Sequence, residues 1–214
     1  MDKLSVDTSK IKKAPAGAVY VAKNGILAGI IILSDSIKPE AQGALKNLKG
    51  LGVNKTVILS GDREENVKRV AEAVGTDEAF AQLSPEQKYD KLGELIANSD
   101  STMYVGDGIN DSPALALADV GVAMGSMGQD SAIEAADMVI MADNLSKLPE
   151  AVLIARKTIN ISWQNIIFAL GVKGLILLLG LFGFANMWLA VFADVGVAVL
   201  AILNSMRALK VPKI

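Results

Sequence analysis

Two apolar stretches near the C-terminal end, residues 163–185 and 187–206, constrain this 214-residue chain more than any other feature. Between Trp163 and Leu203 the only formal charges are Lys173 and Asp194. At about 1.5 Å of helical rise per residue, each stretch can cross a hydrocarbon layer about 30 Å thick. Core helices of a small domain seldom stay apolar beyond ~18 residues, which favours a bilayer over a protein interior. Arg156 and Lys157 precede the first stretch; Arg207, Lys210 and Lys213 follow the second; the connecting Gly183-Phe184-Ala185-Asn186 carries no charge. The positive-inside rule then predicts a cytoplasmic polar domain, both chain ends cytoplasmic and the hairpin tip outside. The expectation is an integral protein of the cell membrane, with lipid as one partner. Trp163 reads as an aromatic anchor and Asn204 as an interfacial polar group. Gly171, Gly174, Gly180 and Gly183 read as positions of close helix approach.

Lys173 and Asp194 need a partner at that depth. Counted back from the tip near Ala185, Lys173 lies about 18 Å and Asp194 about 13 Å down, within reach of a lysine side chain. An unpaired charge at mid-bilayer costs at least ~2.5 kcal/mol, so intramembrane ionisable residues usually mark a transport path. A bridge that merely joins the two helices is the plainer alternative.

Upstream of about Lys157, charged and apolar residues alternate as in a water-exposed domain. A net charge of -2 argues against nucleic acid as a partner, since phosphate backbones recruit a basic excess. There is no cysteine and no histidine, which excludes disulfides, thiolate metal sites and the usual general base. Metal chemistry here must run on oxygen ligands. Residues 1–17 are polar and lysine-rich, unlike a secretory signal.

The polar part reads as strands alternating with helices. Residues 26–33 (ILAGIIIL) are predicted as a strand buried on both faces of a parallel sheet. A helix is expected from Pro39 to Leu48, a strand over 55–59, and a helix ending at Gly75. Phe80-Ala81 is a short extended piece, and Ser84-Pro85-Glu86 opens a helix that carries Lys88. Strands over 103–105, 120–123 and 138–141 alternate with helices over 113–118 and 131–136. This spacing implies an α/β, doubly wound parallel sheet. Right-handed crossovers place the strand-to-helix loops on one edge, where Ser60, Lys88 and Asp107 can converge.

The chemistry concentrates in Tyr104-Val105-Gly106-Asp107-Gly108-Ile109-Asn110-Asp111-Ser112-Pro113. A glycine turn at the carboxyl end of a strand sets Asp107 and Asp111 where open α/β sheets bind ligands. Two acids there suit Mg²⁺, with Asn110 orienting the ion or its waters and Gly106 and Gly108 shaping the turn. Ser60 and the amides of Gly61 and Asp62 can bind phosphoryl oxygens where a helix begins, and Lys88 adds a point charge. Asp35, after the 26–33 run, reads as a helix-capping acid rather than a nucleophile.

These motifs resemble a known family. Ser60-Gly61-Asp62, Ser84-Pro85-Glu86-Gln87-Lys88 and Gly106-Asp107-Gly108-Ile109-Asn110-Asp111-Ser112-Pro113 are similar to successive phosphorylation-domain motifs of P-type ATPases. The soluble domain of that family has the haloacid-dehalogenase-like fold. The likeness runs from about Gly17 to Lys210. It points to the zinc/cadmium/lead class, which ends in a membrane hairpin bearing one lysine and one aspartate, as Lys173 and Asp194 stand here. The resemblance implies Asp194 as a ligand of the transported Zn²⁺, Cd²⁺ or Pb²⁺, Lys173 as its ionic partner, Mg²⁺ at Asp107 and Asp111, and ATP in the complete pump. Copper pumps carry Tyr/Asn and Met/Ser on these helices, and this chain does not.

The resemblance also implies a division of the chain. Residues 1–24 would be a remnant of the nucleotide-binding domain, 25–145 the phosphorylation domain, 146–162 an amphipathic connecting helix, 163–206 the transmembrane hairpin and 207–214 a cytoplasmic tail. Ser60 replaces the family's usual threonine and keeps its hydroxyl. The family's aspartyl-phosphate motif, Asp-Lys-Thr-Gly, occurs nowhere in these residues. The chain thus looks like the C-terminal part of a pump. It is expected to be inactive alone and to need an N-terminal portion with the actuator domain, the phosphorylated aspartate and the remaining helices. A membrane-anchored, non-catalytic regulatory subunit and a small membrane-tethered phosphatase using Asp35 are the alternatives.

Overall fold

The computed structural model describes residues 18–24, 26–32, 36–106, 111–125, 130–184 and 186–210. The chain divides between Lys38 and Pro39 into two compact units. In the first, β1 (Ala18–Lys23) pairs antiparallel with β2 (Ile26–Ile32), with Lys23 opposite Ile26 and Ala18 opposite Ile32. This overturns the expectation that residues 26–33 form a buried parallel strand. Ile26 is 73% exposed and Ile31 55%. A continuous β-branched run does not say which strand it will join, and Asn24 stands between two strands paired as a hairpin. Asn24 accordingly adopts a φ of 51°. Asp35 lies outside the described residues.

The second unit carries the parallel strands. β3 (Val57–Leu59) pairs with β4 (Glu78–Phe80), while β5 (Met103–Gly106), β6 (Val120–Met124) and β7 (Met138–Ile140) form a ladder in that order. The expected single sheet thus appears, among the described residues, as two hydrogen-bonded parallel ladders. They share a core, in which Leu59 of β3 and Tyr104 of β5 pack with Leu92, Ala114 and Ala118. The helices between them are α1 (Ala41–Gly50), α2 (Glu64–Val74), α3 (Pro85–Ala97), α4 (Ser112–Leu117) and α5 (Asp130–Ala135).

Local signals explain these boundaries. Ser84 and Gln87 form a reciprocal capping box at the start of α3, with Pro85 just inside it. Gly75 ends α2 in the left-handed conformation at a φ of 77°. The start of each paired strand is tied to its neighbour by an aspartate just before the later strand. Asp77 Oδ2 accepts from Thr56 N (2.8 Å) and Thr56 Oγ1 (2.7 Å). Asp119 Oδ2 accepts from Thr102 N (2.7 Å), and Asp137 Oδ2 from Gly121 N (2.8 Å). Register is therefore pinned at the amino ends of the strands, leaving their carboxyl ends for chemistry.

α6 (Lys147–Leu181) is one helix of 35 residues, about 52 Å long. Its first turn packs Leu148 into the core with Leu48, Val122, Met124 and Ile140. The connecting helix and the first apolar span are therefore one rod. The second span is built from α7 (Met187–Val191), a π-helical segment Phe192–Gly196 and α8 (Val197–Ser205), closed by a 3-10 turn Met206–Leu209. Both spans are long and apolar enough to cross a membrane, with mean hydropathies of 1.8 and 2.0. A Cβ placed at Gly171 or Gly174 would meet nothing within 4 Å, so neither is a close-packing site within this hairpin. The tightly packed glycine is Gly196, whose missing Cβ would lie 2.8 Å from the Phe192 ring.

Candidate functional site

The carboxyl ends of β3 and β5 lead into the two motif loops. After β3, Ser60 N donates to Phe80 O (2.9 Å), and Ser60 O accepts from Leu83 N (3.0 Å). These bonds tie the Ser60-Gly61-Asp62 turn to the loop that caps α3. A Cβ at Gly61 would lie 3.2 Å from Leu83 O, so the small residue permits this approach. Ser60 Oγ accepts from Asp62 N (3.1 Å), which orients the hydroxyl. Asp62 takes Arg63 N on Oδ1 (2.7 Å) and Asn66 Nδ2 on Oδ2 (3.0 Å). The backbone donor of Arg63, then the Asn66 amide, hold its carboxyl below the usual carboxylate range. Asp62 is thus committed to the start of α2.

Lys88, one turn into α3, reaches Asp111 at the far end of the second loop. Their Nζ–Oδ1 distance is 3.2 Å, and the side chains are only 20% and 13% exposed. A Cβ at Gly106 would lie 3.0 Å from Asp111 Cβ and 3.1 Å from Asp111 Oδ2. The bare α-carbon of Gly106 therefore makes room for the carboxylate over the end of β5. Asp107, Gly108 and Asn110 lie outside the described residues. The donors that are described suit a hard cation, since an oxygen ligand stands at the strand end and the chain has neither thiolate nor imidazole. An ammonium beside a carboxylate at a strand's carboxyl end can bind and orient a phosphoryl group.

The second pair lies in the hairpin. Lys173 Nζ is 3.4 Å from Asp194 Oδ1, with the side chains 54% and 79% exposed. Asp194 sits within the π-helical segment, a distortion often found at functional sites. Among the described residues no three metal-ligating acids, histidines or cysteines converge. Asp194 would therefore need ligands from elsewhere to hold an ion.

The haloacid dehalogenase-like hydrolase family matches residues 2–119, more than half the chain. The chain belongs to this family. Its relatives include the cadmium, zinc and cobalt-transporting ATPase of Bacillus subtilis, 49% identical over 90% of this chain and 28% of that protein. The zinc-transporting ATPase of Synechocystis is 48% identical over 98% of this chain and 29% of its own length. A crystal structure of a zinc-transporting PIB-type ATPase in an E2.Pi state superposes with a TM-score of 0.79 at 37% identity. That match covers 91% of this chain and 32% of the other. The chain thus spans less than a third of each of these three relatives. Each of these matches covers 90% or more of this chain, and so extends beyond residues 2–119.

Sequence reasoning missed the clamp that closes the hairpin's polar end. Asn165 Nδ2 donates to Ala201 O (3.2 Å) and Ser205 Oγ (2.9 Å), while Asn204 Nδ2 donates to Asn165 Oδ1 (2.8 Å). Arg207 Nη1 donates to Asn204 Oδ1 (2.8 Å) and Gln164 Oε1 (3.3 Å). The signal was present: amides inside an apolar run need partners, and both spans carry one at matching depth.

Proposed function

We propose that this chain is the C-terminal portion of an ATP-driven exporter of Zn²⁺, Cd²⁺ or Pb²⁺. It would supply phosphoryl- and Mg²⁺-binding groups in the cytoplasm and part of the metal path in the membrane. The observation that carries this reading is that one chain presents two lysine–aspartate pairs on elements joined by a single rod. Lys88–Asp111 stands at the sheet edge, and Lys173–Asp194 stands in the apolar hairpin. α6 runs from the core of the polar domain into the first span, so movement of that domain is carried to the helix beside Asp194.

Each residue then has a distinct task. Ser60, with the Gly61 and Asp62 amides, receives the phosphoryl oxygens, and Asp62 holds that turn against α2. Lys88 neutralises phosphoryl charge and keeps Asp111 oriented. Asp107 and Asp111 would hold Mg²⁺, which when bound neutralises phosphoryl oxygens during transfer. In the membrane, Lys173 occupies the Asp194 carboxylate until the cation competes for it. The exposure of that pair fits further helices packed around it. Covalent phosphorylation requires a nucleophilic carboxylate, so the Asp-Lys-Thr-Gly motif would come from an N-terminal portion.

Labelling with radioactive ATP in membranes tests this. The chain alone should stay unlabelled. Mixed with an N-terminal half bearing Asp-Lys-Thr-Gly, it should allow acid-stable label on that partner, dependent on Mg²⁺ and on Lys88. Label on this chain alone would refute the assignment, as would two halves that co-purify yet never label.

A further inference from the structure

Where α6 leaves the polar domain, it walls one side of an open cavity of about 360 Å³ bordered by Arg207 of the 3-10 turn after α8. Three cations line it: Arg156, Lys157 and Arg207. Asn160 and Gln164 add amides, and Leu153 and the buried Ile161 form an apolar floor. Among the described residues no carboxylate forms an ion pair with any of the three cations. Lys157 Nζ donates to the Lys210 carbonyl oxygen (2.5 Å), and Arg207 is held by Gln164 and Asn204. Two of the three are therefore fixed in place by neutral acceptors, with their charge uncompensated.

The depth of the cavity matters. Arg156, Asn160 and Trp163 follow one another at i, i+4 and i+7, so they share a face of α6. Trp163 is 58% exposed, at the polar end of the apolar span. Arg156 lies about 10 Å beyond it along the helix, which is headgroup depth. We infer that this cavity binds the phosphate of an anionic phospholipid, with the glycerol and first methylenes over Ile161, on the bilayer side of Arg156. Phosphate oxygens match guanidinium donors, and basic pockets at the cytoplasmic ends of membrane helices suit such headgroups. The inference rests on the hairpin spanning a bilayer.

The test uses the full chain in phosphatidylcholine vesicles with phosphatidylglycerol added, and lipids brominated on the acyl chains as tryptophan quenchers. Trp163 is read in a Trp188→Phe background, and Trp188 in a Trp163→Phe background. Quenching of Trp188 by brominated phosphatidylcholine establishes insertion; its absence would overturn the membrane reading itself. With insertion established, Trp163 should prefer brominated phosphatidylglycerol, while Trp188 should show no preference. Arg156→Gln and Arg207→Gln should each lower the Trp163 preference about tenfold or more, the loss of one charge-assisted hydrogen bond to phosphate. Arg156→Gln leaves the Asn165–Asn204 clamp untouched, so its result does not depend on hairpin stability. Lys210→Gln, outside the cavity lining, should change the preference less than about twofold, as expected for screened surface charge. Equal losses from all three variants would mean diffuse attraction and overturn the site. Displacement of phosphatidylglycerol by millimolar inorganic phosphate would overturn the lipid assignment in favour of free phosphate.

Discussion

Replacing Lys173 with methionine should strip Asp194 of its cation at nearly constant side-chain volume. The charges are 3.4 Å apart. Coulomb attraction at that separation is ~5 kcal/mol for an effective dielectric of about 20. Both side chains are more than half exposed on the hairpin, so the medium around them decides how much survives. Where water penetrates, as in a small detergent micelle, an exposed pair is worth about 1 kcal/mol or less. In a bilayer the lone carboxylate costs ~2.5–3.5 kcal/mol, offset in part by snorkelling and local water. We therefore expect a coupling of roughly 1–3 kcal/mol in bicelles and below ~0.5 kcal/mol in detergent. The assay is a double-mutant cycle of Lys173→Met, Asp194→Asn and the double variant, followed by SDS-induced unfolding in each medium. Coupling below ~0.3 kcal/mol in bicelles would refute the claim that lipid makes this pair strong.

Other outcomes follow from the polar domain. Gly121→Ala drives a Cβ into the Leu115 carbonyl oxygen, with Leu115 C at 2.9 Å, so overpacking should cost about 3 kcal/mol or more in urea unfolding. Lys88→Gln should abolish complemented phosphorylation, and, because the glutamine amide can still donate to the largely buried Asp111, it should lower the urea midpoint less than Lys88→Met. The Lys49 ammonium, then the Thr56 hydroxyl and amide, hold the Asp77 carboxyl well below its usual range. A depressed folded value means that its stabilisation is present above the unfolded pKa near ~3.9 and is lost as pH falls below it. Asp77→Asn should therefore flatten thermal stability between about pH 4 and pH 2, measured against the parent chain. An unchanged acid profile would show that the Lys49–Asp77–Thr56 contacts contribute nothing.

Much of the fold was legible because its signals are local. Ser84-Pro85 and Gln87 announce α3, Gly75 ends α2, and two apolar stretches interrupted by Lys173 and Asp194 require helices wherever no water can satisfy the backbone. The motif loops at Ser60 and Asp111 were recognisable for the same reason, since tight turns demand particular residues. The hairpin of β1 and β2 was misread although Asn24-Gly25 carried the signal, because the apolar run beside it suits several pairings. The aspartates before β4, β6 and β7 look ordinary in sequence. Only the position of Thr56, Thr102 and Gly121 across the ladders reveals that they set register.

By itself the sequence determined most element types, the membrane-length spans and the oxygen-only donor set. Those properties depend on each residue's own chemistry and on neighbours a few positions away. Tertiary structure alone decided that Lys88 meets Asp111 across 23 positions, and that Asp194 lies in a π-helical segment. It also decided that one unbroken rod carries the polar domain into the membrane. Such contacts depend on how strands choose partners and how helices rotate about their axes, which packing sets over distances that no local pattern records.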